Sequence, residues 1–408
     1  MNRNSLAAGV VSASGIEVAS ASGQTALDLT AAMASCLGHR HPAVIEAVQS
    51  AAESHLGCGP PLPTANLAGP LPGTIDPSSL GGPFPDFAAV WLQPSAAEAN
   101  ELAIRIARSS PRENRGDGRA DPSTPDLPYR IITLLGADHG DTLACRSAGG
   151  RFAAQLDLGP LAAGFRHVAP GDLRGLEKAI DGQTAAIMLA PVDWSRGGIS
   201  LDAAYFDQIR QLCDAHRLWL IVDETRLPAA ISGEWFYHQS QGWSADLVTA
   251  SAGWTGGLPG GLVLASAALA QQLPGVADGK PSTDAQAADY PLLSQVVAAT
   301  AATVAALGGP RSADQLAADW SQRLGELVTG FEFVADVSTV GLGTILRFDI
   351  AAAEVVDACA GVGLRMIATD ETTALICLPL TVTTDQIDTI LNRLAQGLES
   401  IERETIES

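Results

Sequence analysis

The chain has 408 residues, of which 47% are hydrophobic and 17% are charged. This length and composition predict a globular protein with a large core, divided between two domains. The formal charge of −21 argues against a nucleic-acid partner and against attachment to an anionic membrane surface. The N-terminus has no long apolar segment, which argues against a signal peptide and favours a cytoplasmic protein.

Six cysteines are spread along the chain, and no two of them have C-x-x-C spacing. Free, buried thiols are therefore the expected state, as is usual for proteins of the reducing cytosol. No cysteine and histidine pair has the spacing of zinc ligands, so we expect no zinc site. The cysteines are Cys36, Cys58, Cys145, Cys213, Cys359 and Cys377.

Short apolar segments alternate with helical patterns, which predicts an α/β fold with a mostly parallel sheet. The strand candidates are nearly continuous apolar runs, as expected for strands covered on both faces. Helical spacing predicts helices at Ala96–Arg108 and Tyr205–His216, and a buried helix, too short to span a membrane, at Val296–Leu307. The predicted strands are Ala88–Leu92, Arg130–Leu135, Ala185–Ala190, Leu218–Asp223, Asp246–Ala250 and Gly261–Ala265.

Two segments interrupt the alternation. Gly59–Pro85 is rich in proline and glycine, and Ser109–Pro128 is polar with several prolines. Both predict surface loops, and we expect the second to be poorly ordered.

The C-terminal part of the chain has a different pattern, which predicts a small α+β domain completed by the N-terminal segment. We therefore predict that residues 1–58 and 309–408 form the small domain and residues 59–308 the large one. The elements predicted in the C-terminal part are helices Ala313–Thr329, Ala353–Gly361 and Thr384–Glu402, and strands Gly343–Ile350, Leu364–Ile367 and Ala374–Leu378.

Five short motifs follow one another along the chain, from a Gly-His-x-His-Pro segment to a glycine-rich one. In this order they resemble the motifs of class III (ornithine/acetylornithine-type) aminotransferases, and the resemblance covers residues 15–400. The late segment 363–380 is most similar to the acetylornithine subgroup. The motifs are Leu37–Val48, Pro94–Glu101, Gly136–Gly140, Asp223-Glu224 and Ala245–Gly261.

The resemblance implies the pyridoxal phosphate (PLP)-dependent transferase fold type I, with a seven-stranded, mostly parallel sheet in the large domain and a small α+β domain. It also implies PLP as the family's cofactor and a homodimer, because the cofactor site of this family lies at the subunit interface. Fold alone does not establish activity, so the site residues need separate consideration.

The resemblance implies roles for several residues. Asp223 would face the pyridine nitrogen of PLP, although a helix cap or a structural ion pair is an alternative role. The backbone N–H groups of residues Ser95, Ala96 and Ala97 would bind the phosphate at a helix start, although Ser95 is equally typical of a plain N-cap. Thr283 would reach the phosphate of the neighbouring subunit.

Position 252 is the largest departure from the family pattern. Ala252 stands where the resemblance places the lysine that forms the Schiff base with PLP and then moves the proton. An alanine methyl group does neither. Only two lysines, Lys178 and Lys280, occur in the whole chain.

Other positions near the implied cofactor also differ. Asp138 replaces the aromatic residue that stacks on the ring, while His139 beside it is kept, and Arg226 replaces a glutamine. Because burying an unpaired charge is costly, we predict that Asp138 and Arg226 pair with each other or face solvent. Further departures are Ala190 for a glutamate, Ile231 for an arginine, and the loss of the substrate-carboxylate arginine in residues 375–380.

Three hypotheses follow. The first is a catalytically silent homologue that regulates or completes an active aminotransferase paralogue. The second is an enzyme with altered chemistry that binds PLP or its amine form non-covalently, with His139 as proton carrier or Lys280 as a replacement amine. The third is a protein that binds a small molecule in the old cleft, where Arg226 would bind an anion.

Overall fold

The computed structural model describes residues 9–54, 74–75, 84, 86–110, 128–151, 159–194, 199–273 and 290–407. The strands are β1 (Val10–Ser14), β2 (Glu17–Ser20), β3 (Thr25–Asp28), β4 (Thr74–Ile75), β5 (Phe87–Gln93), β6 (Arg130–Leu134), β7 (Phe165–Val168), β8 (Thr184–Leu189), β9 (Val192–Asp193), β10 (Ile199–Ser200), β11 (Trp219–Glu224), β12 (Leu247–Ala250), β13 (Gly261–Ser266), β14 (Val334–Val340), β15 (Gly343–Phe348), β16 (Leu364–Arg365), β17 (Ile367–Ala368) and β18 (Thr373–Cys377).

The same residues form helices α1 (Ala31–Ala34), α2 (Pro42–Ser54), α3 (Ala96–Ser109), α4 (Leu143–Gly149), α5 (Leu173–Ala179), α6 (Ala203–His216), α7 (Tyr237–Ser240), α8 (Ala267–Ala270), α9 (Pro291–Ala306), α10 (Asp314–Val328), α11 (Ala352–Gly361) and α12 (Thr384–Glu407). Three of the helices near the central sheet, α3, α4 and α6, begin at a side-chain cap, which satisfies backbone N–H groups that have no partner inside the helix.

The central sheet has the strand order β4-β5-β13-β12-β11-β8-β6-β7. Seven of its strands are longer than two residues; six of these run in the same direction, and β13 runs in the opposite one. All six residues of β8 and of β11 are buried, because helices cover both faces of the sheet. The mostly parallel sheet expected from the sequence is confirmed.

Helix α3 illustrates how the sequence builds one of these faces. Small residues at helical spacing, Ala99, Ala103 and Ala107, are fully buried and let the helix lie close to the sheet. They pack in a cluster with the sheet residues Trp91 and Trp219. This packing fixes the start of α3 near the carboxyl ends of the parallel strands.

Strands from both ends of the chain pair with each other outside the central sheet. The sheet β1-β2-β3-β16 joins three N-terminal strands to one C-terminal strand, and the sheet β14-β15-β18-β17 is formed by C-terminal strands alone. β16 lies parallel to β3, with Arg365 opposite Asp28. The domain boundaries given above stay a prediction.

Most predicted elements are confirmed, with ends shifted by a residue or two. The single strand predicted at Leu364–Ile367 is wrong, because the chain leaves one sheet at Arg365 and enters another at Ile367. Strand β7, at the edge of the central sheet, was not predicted, since polar Arg166 and His167 interrupt its apolar pattern. The predicted loop Ser109–Pro128 lies almost entirely, and Gly59–Pro85 largely, outside the described residues.

Helix α9 confirms the buried helix predicted at Val296–Leu307, but it begins earlier, at Pro291, and ends at Ala306. Its Val296, Val297 and Val304 are fully buried. Within the described ranges, no single helix has the length and apolarity to cross a membrane. The pair formed by α9 and residues 310–328 meets that test together, by length and composition only, and is bent by 58°.

Candidate active site at the carboxyl end of the central sheet

Asp223 lies at the carboxyl end of β11 and is buried within a set of hydrogen-bond donors. Its Oδ2 lies 2.6 Å from His139 Nδ1 and accepts a 2.8 Å hydrogen bond from the side-chain amide of Asn100. Its Oδ1 accepts hydrogen bonds from the Thr225 N–H at 2.9 Å and from the Thr225 hydroxyl at 2.6 Å. The end of a parallel strand is where open α/β sheets place their ligands.

The surrounding donors keep Asp223 ionised. Burial alone raises the pKa of this carboxyl group, but the hydrogen bonds from His139 and Thr225 and the charge of His139 outweigh burial. The pKa of Asp223 is therefore held below its ordinary value of 3.8. The site contains a buried carboxylate that is negative at neutral pH.

Asn100 connects three elements around this carboxylate. Besides its bond to Asp223, its amide donates to the His139 carbonyl at 2.8 Å, and its Oδ1 accepts a 2.6 Å hydrogen bond from the Thr249 hydroxyl. Thr249 lies on β12 directly opposite Asp223 in the parallel register. The start of α3, the loop after β6 and two central strands are thereby held together.

His139 is also completely buried. Its Nδ1 faces Asp223, whereas its Nε2 has no hydrogen-bond partner among the described residues. The next residue, Gly140, has a φ of +112°, and a Cβ there would lie 2.7 Å from the Cβ of Ala97. Glycine is required at that position because the loop passes close over the start of α3.

Asp138 and Arg226 form an ion pair, with 2.6 Å between Oδ2 and the guanidinium. Their side chains are 20% and 48% exposed, so the pair lies at the rim of the site, and the pairing predicted from the sequence is confirmed. A second guanidinium, that of Arg151, lies 3.8 Å from the same carboxylate oxygen. The pair joins the loop after β6 to the segment after β11.

The start of α3 has an ordinary cap. The Ser95 Oγ accepts a 3.2 Å hydrogen bond from the Glu98 N–H and donates to the Glu98 carboxylate at 2.9 Å. Ala96 and Ala97 form the first turn, and the Ala97 carbonyl accepts a 3.3 Å contact from the Cys145 thiol. Ser95 therefore acts as the N-cap of α3.

Ala252 is buried in the turn after β12. Its N–H donates to the Thr225 carbonyl at 3.1 Å, and its carbonyl accepts from the Ala229 N–H at 3.0 Å. Position 252 therefore lies directly beside the segment that follows Asp223. Gly253 has a φ of +77°, and a Cβ there would lie 2.7 Å from the Ala229 nitrogen, so only glycine fits this approach.

Glu224, the neighbour of Asp223, is occupied differently. Both of its oxygens are buried and accept hydrogen bonds from the start of α7: the Tyr237 N–H at 2.7 Å and the His238 N–H at 2.8 Å. The His238 ring nitrogen Nδ1 also lies 2.8 Å from Glu224. Glu224 therefore fixes a short helix and leaves Asp223 as the carboxylate of the site.

Other expected site features have separate outcomes. Thr283 and Lys280 lie outside the described residues, and the exposed Lys178 lies on α5. The described cysteines are free and buried, as expected, and burial raises the pKa of Cys145 to about 12. The described ranges contain no group of three His, Cys, Asp or Glu side chains that would hold a metal ion.

Comparison with known proteins identifies the family. The family model of the class III aminotransferases matches residues 1–398 of this chain. Acetylornithine aminotransferase of Corynebacterium efficiens is 30% identical, over 96% of this chain and 92% of its own. The enzyme of the same name from Mycolicibacterium smegmatis is 34% identical over 65% of this chain, and the match spans 62% of that relative's length.

Solved structures show the same fold. Ornithine aminotransferase from Toxoplasma gondii covers 99% of this chain and 93% of its own, with a TM-score of 0.82 and 21% identity. N-acetylornithine aminotransferase from Stenotrophomonas maltophilia covers 97% and 96%, with a TM-score of 0.75 and 23% identity. The chain has the PLP-dependent transferase fold type I, and it belongs to the class III aminotransferase family.

Proposed function

We propose that this chain is a class III aminotransferase homologue, related to the acetylornithine and ornithine enzymes, that lacks normal transaminase activity. The observation that carries the proposal is the buried alanine at position 252, beside the segment that follows Asp223. Transamination through a Schiff base needs a primary amine at the cofactor, and an alanine side chain offers none.

The remaining lysines support this proposal. Lys178 is exposed on α5, which follows the edge strand β7, and it is the one lysine within the described ranges. Lys280 is the other lysine of the sequence. A replacement amine would therefore have to come from Lys280, and the experiment below tests it directly.

The hydrogen bonds of Asp223 also argue against PLP in the family's manner. A carboxylate offers about four lone-pair sites. Asp223 already receives five hydrogen bonds: one each from His139, Asn100 and the Thr249 hydroxyl, and two from Thr225. No lone pair is left for a pyridinium N–H, so the residues present do not fit the ring in that position.

The ion pair at the rim of the site also argues against PLP binding in the family's manner. Asp138 occupies the position of the stacking aromatic residue, and it forms an ion pair with Arg226 at 2.6 Å. A carboxylate offers no aromatic face, and its pairing with Arg226 joins the loop after β6 to the segment after β11. We infer that PLP binds non-covalently at most.

The assembly is part of the same proposal. We infer a cytoplasmic homodimer, because the class III cofactor site lies at the subunit interface and the fold is retained. We further infer that the chain regulates or completes an active aminotransferase paralogue, since a silent subunit still supplies its half of such an interface. The charge of −21 supports the absence of nucleic-acid and membrane partners.

A second candidate is a protein that binds a small molecule without turning it over. A polar cavity beside His139 and Asp138 favours it. An enzyme with altered chemistry would need His139 to carry protons, and its Nδ1 is engaged with Asp223. A covalent adduct with PLP would separate an enzyme with a relocated amine from the silent homologue and from the small-molecule binder.

The test is a titration of the purified full-length protein with PLP, followed by visible absorbance before and after borohydride. We expect no shifted absorbance band and no stoichiometric covalent label, because no amine lies at position 252. The matched control is Ala252→Lys, which returns the amine. Peptide mapping by mass spectrometry identifies any labelled lysine.

A stoichiometric label on Lys280 in the unmodified chain would overturn the proposal and support an enzyme with a relocated amine. A label in Ala252→Lys but not in the unmodified chain would show that the missing lysine alone prevents the adduct. The absence of label from both proteins would show that the residues around Asp223 also exclude the cofactor.

A further inference from the structure

A closed ring of contacts includes the buried carboxylate of Asp223. Thr225 donates its N–H and its hydroxyl to Asp223 Oδ1. The next residue, Arg226, pairs with Asp138 Oδ2 at 2.6 Å. His139, which follows Asp138, lies 2.6 Å from Asp223 Oδ2 through its Nδ1. The Asp138–Arg226 ion pair therefore closes this ring between the loop after β6 and the segment after β11.

The ring has a buried side and an exposed side. Asp223, Thr225 and His139 are buried. The side chains of Arg226 and Asp138 are 48% and 20% exposed. The ion pair thus lies on the solvent side of the carboxylate, and a molecule that approaches Asp223 between the two segments meets the ion pair first.

The two residues of the ion pair are anchored behind it. The Arg226 carbonyl accepts a 2.9 Å hydrogen bond from Nε1 of the buried Trp194. Asp138 Oδ1 accepts a 3.2 Å hydrogen bond from the Gly140 N–H. The long side chain of Arg226 rotates about its own bonds without moving these anchors. Separation of the ion pair therefore needs a side-chain rotation and no movement of the main chain.

The ion pair is also easily separated. A pair of this exposure contributes little net free energy, because water solvates the separated charges and salt screens their attraction. Asp138 keeps a cationic neighbour when Arg226 turns away, since the Arg151 guanidinium lies 3.8 Å from the same carboxylate oxygen. The closed and open arrangements are therefore close in free energy, and ionic strength shifts the balance between them.

We propose that the Asp138–Arg226 ion pair is a salt-sensitive gate over the buried Asp223–His139 pair. The structure shows the closed gate, and rotation of the Arg226 side chain opens it. Water and small polar solutes reach the carboxylate through the open gate. The proposal goes beyond the function proposed above, since it concerns access to Asp223 and requires nothing of Ala252.

The test measures how fast the His139 ring proton exchanges with water. The ionised Asp223 carboxylate only accepts hydrogen bonds, so the His139 Nδ1 carries the proton between them. Nitrogen NMR of the histidine rings in the full-length protein follows this proton, assigned from its loss in His139→Gln. Sodium chloride at about 0.01 M and about 1 M changes the Debye length from about 30 Å to about 3 Å. We expect faster exchange at the higher concentration, by up to about fivefold, the factor that corresponds to the strength of an exposed ion pair.

His238 is the internal reference for the effect of salt on exchange itself. It is also buried, and its Nδ1 lies 2.8 Å from the buried carboxylate of Glu224. This contact lies at the start of α7 and does not involve the Asp138–Arg226 ion pair. We therefore expect salt to change the exchange of the His139 proton more than that of the His238 proton.

Two arginine variants provide the matched comparison. Arg226 and Arg323 each form a 2.6 Å ion pair, and their side chains are 48% and 34% exposed, but Arg323 lies on α10 and pairs with Asp388 on α12. We expect Arg226→Gln to give fast exchange of the His139 proton at both salt concentrations, because the gate no longer closes. We expect Arg323→Gln to behave as the unmodified protein does.

An unchanged exchange rate of the His139 proton at low salt in correctly folded Arg226→Gln would overturn the proposal, and so would an equal salt response of His139 and His238. If Arg226→Gln does not fold, the comparison of the two histidines in the unmodified protein decides. A covalent PLP adduct would refute the silent-homologue proposal while leaving this measurement as an independent test.

Discussion

Two buried aspartate–histidine pairs lie in different parts of this molecule and serve different purposes. Asp28 on β3 lies 2.8 Å from His39 Nε2, and Asp223 on β11 lies 2.6 Å from His139 Nδ1. Both aspartate side chains are 2% exposed. Each carboxylate also accepts hydrogen bonds from a threonine two residues further along the chain, Thr30 or Thr225.

The two pairs differ in what completes them. Asp28 accepts a 2.7 Å hydrogen bond from Arg365, whose fixed positive charge links the C-terminal strand β16 to the N-terminal strand β3. Asp223 is completed by the neutral side chain of Asn100, and its histidine has a buried nitrogen beside a cavity. The first pair is satisfied by the chain itself, whereas the second has a buried ring nitrogen without a hydrogen-bond partner among the described residues.

The largest expected effect is the loss of either carboxylate. Asp223→Ala leaves His139 and Asn100 without their shared acceptor in a fully buried position, so we expect about 3–5 kcal/mol of destabilisation. Asp28→Ala is expected to destabilise less, about 2–3 kcal/mol, because water reaches the partly exposed His39 and Arg365. Urea unfolding followed by circular dichroism measures both values. An equal or reversed order would mean that the two environments do not differ as described.

Acid provides a second comparison of the two carboxylates. At Asp28, burial raises the pKa, but hydrogen bonds from His39 and Thr30 and the charge of Arg365 hold it below the ordinary value of 3.8. The pKa of Asp223 is lowered against burial by His139 and Thr225. A lowered folded-state pKa contributes stability above the unfolded value of 3.8, and this contribution is lost as pH falls through the folded-state pKa.

We therefore expect the free energy of unfolding to decrease as the pH falls below about 4, and to decrease less steeply in Asp28→Ala and in Asp223→Ala. Urea unfolding at several pH values between about 7 and 3 measures these slopes. The same slope in the unmodified protein and in both variants would show that other groups dominate acid unfolding.

Much of the fold was predictable because burial on both sides of a sheet imposes apolar runs that the sequence displays. Strand β11 is an example, because its apolar residues run without a break up to Val222, just before the carboxylates of Asp223 and Glu224. Strand β7 was not predicted because the polar Arg166 breaks the apolar pattern. In the folded chain its guanidinium donates a hydrogen bond to the Ala179 carbonyl, a partner that the sequence pattern does not reveal. The single strand predicted at Leu364–Ile367 was wrong because the sequence pattern there is continuous. Such a pattern does not show where the chain passes from one sheet to another.

The candidate site was predictable in part. Asp223, His139 and the Asp138–Arg226 pair followed from motif order and from the cost of burying charge. The role of Asn100 was not found, although it lies in a quoted motif, because its partner Asp223 is far away in sequence. Thr249 lies beside this network because β12 pairs in parallel with β11, and the sequence alone does not give the register of that pairing. Arg151 gave no sequence signal at all.

The smallest expected effect concerns the two arginine–aspartate pairs that accompany the buried carboxylates. Arg226 and Arg365 are similarly exposed, at 48% and 42%, but Asp138 is 20% exposed and Asp28 only 2%. A double-mutant cycle with Asp138→Asn and Arg226→Gln should give a coupling of about 0.2–1 kcal/mol, because solvent screens the pair. The cycle with Asp28→Asn and Arg365→Gln should give about 1.5–3 kcal/mol, because its acceptor is buried.

Both cycles use urea unfolding, and the second serves as the control for the first. A coupling above about 2 kcal/mol at Asp138 would mean that this rim pair holds the fold together in the way that Asp28 and Arg365 do. A weak coupling would mean that the Asp138–Arg226 pair contributes little to the stability of the fold. Arg226 and Asp138 would then be retained at the rim with little effect on stability, whereas Asp28 and Arg365 would be the pair that fixes the C-terminal strand β16 to the N-terminal strand β3.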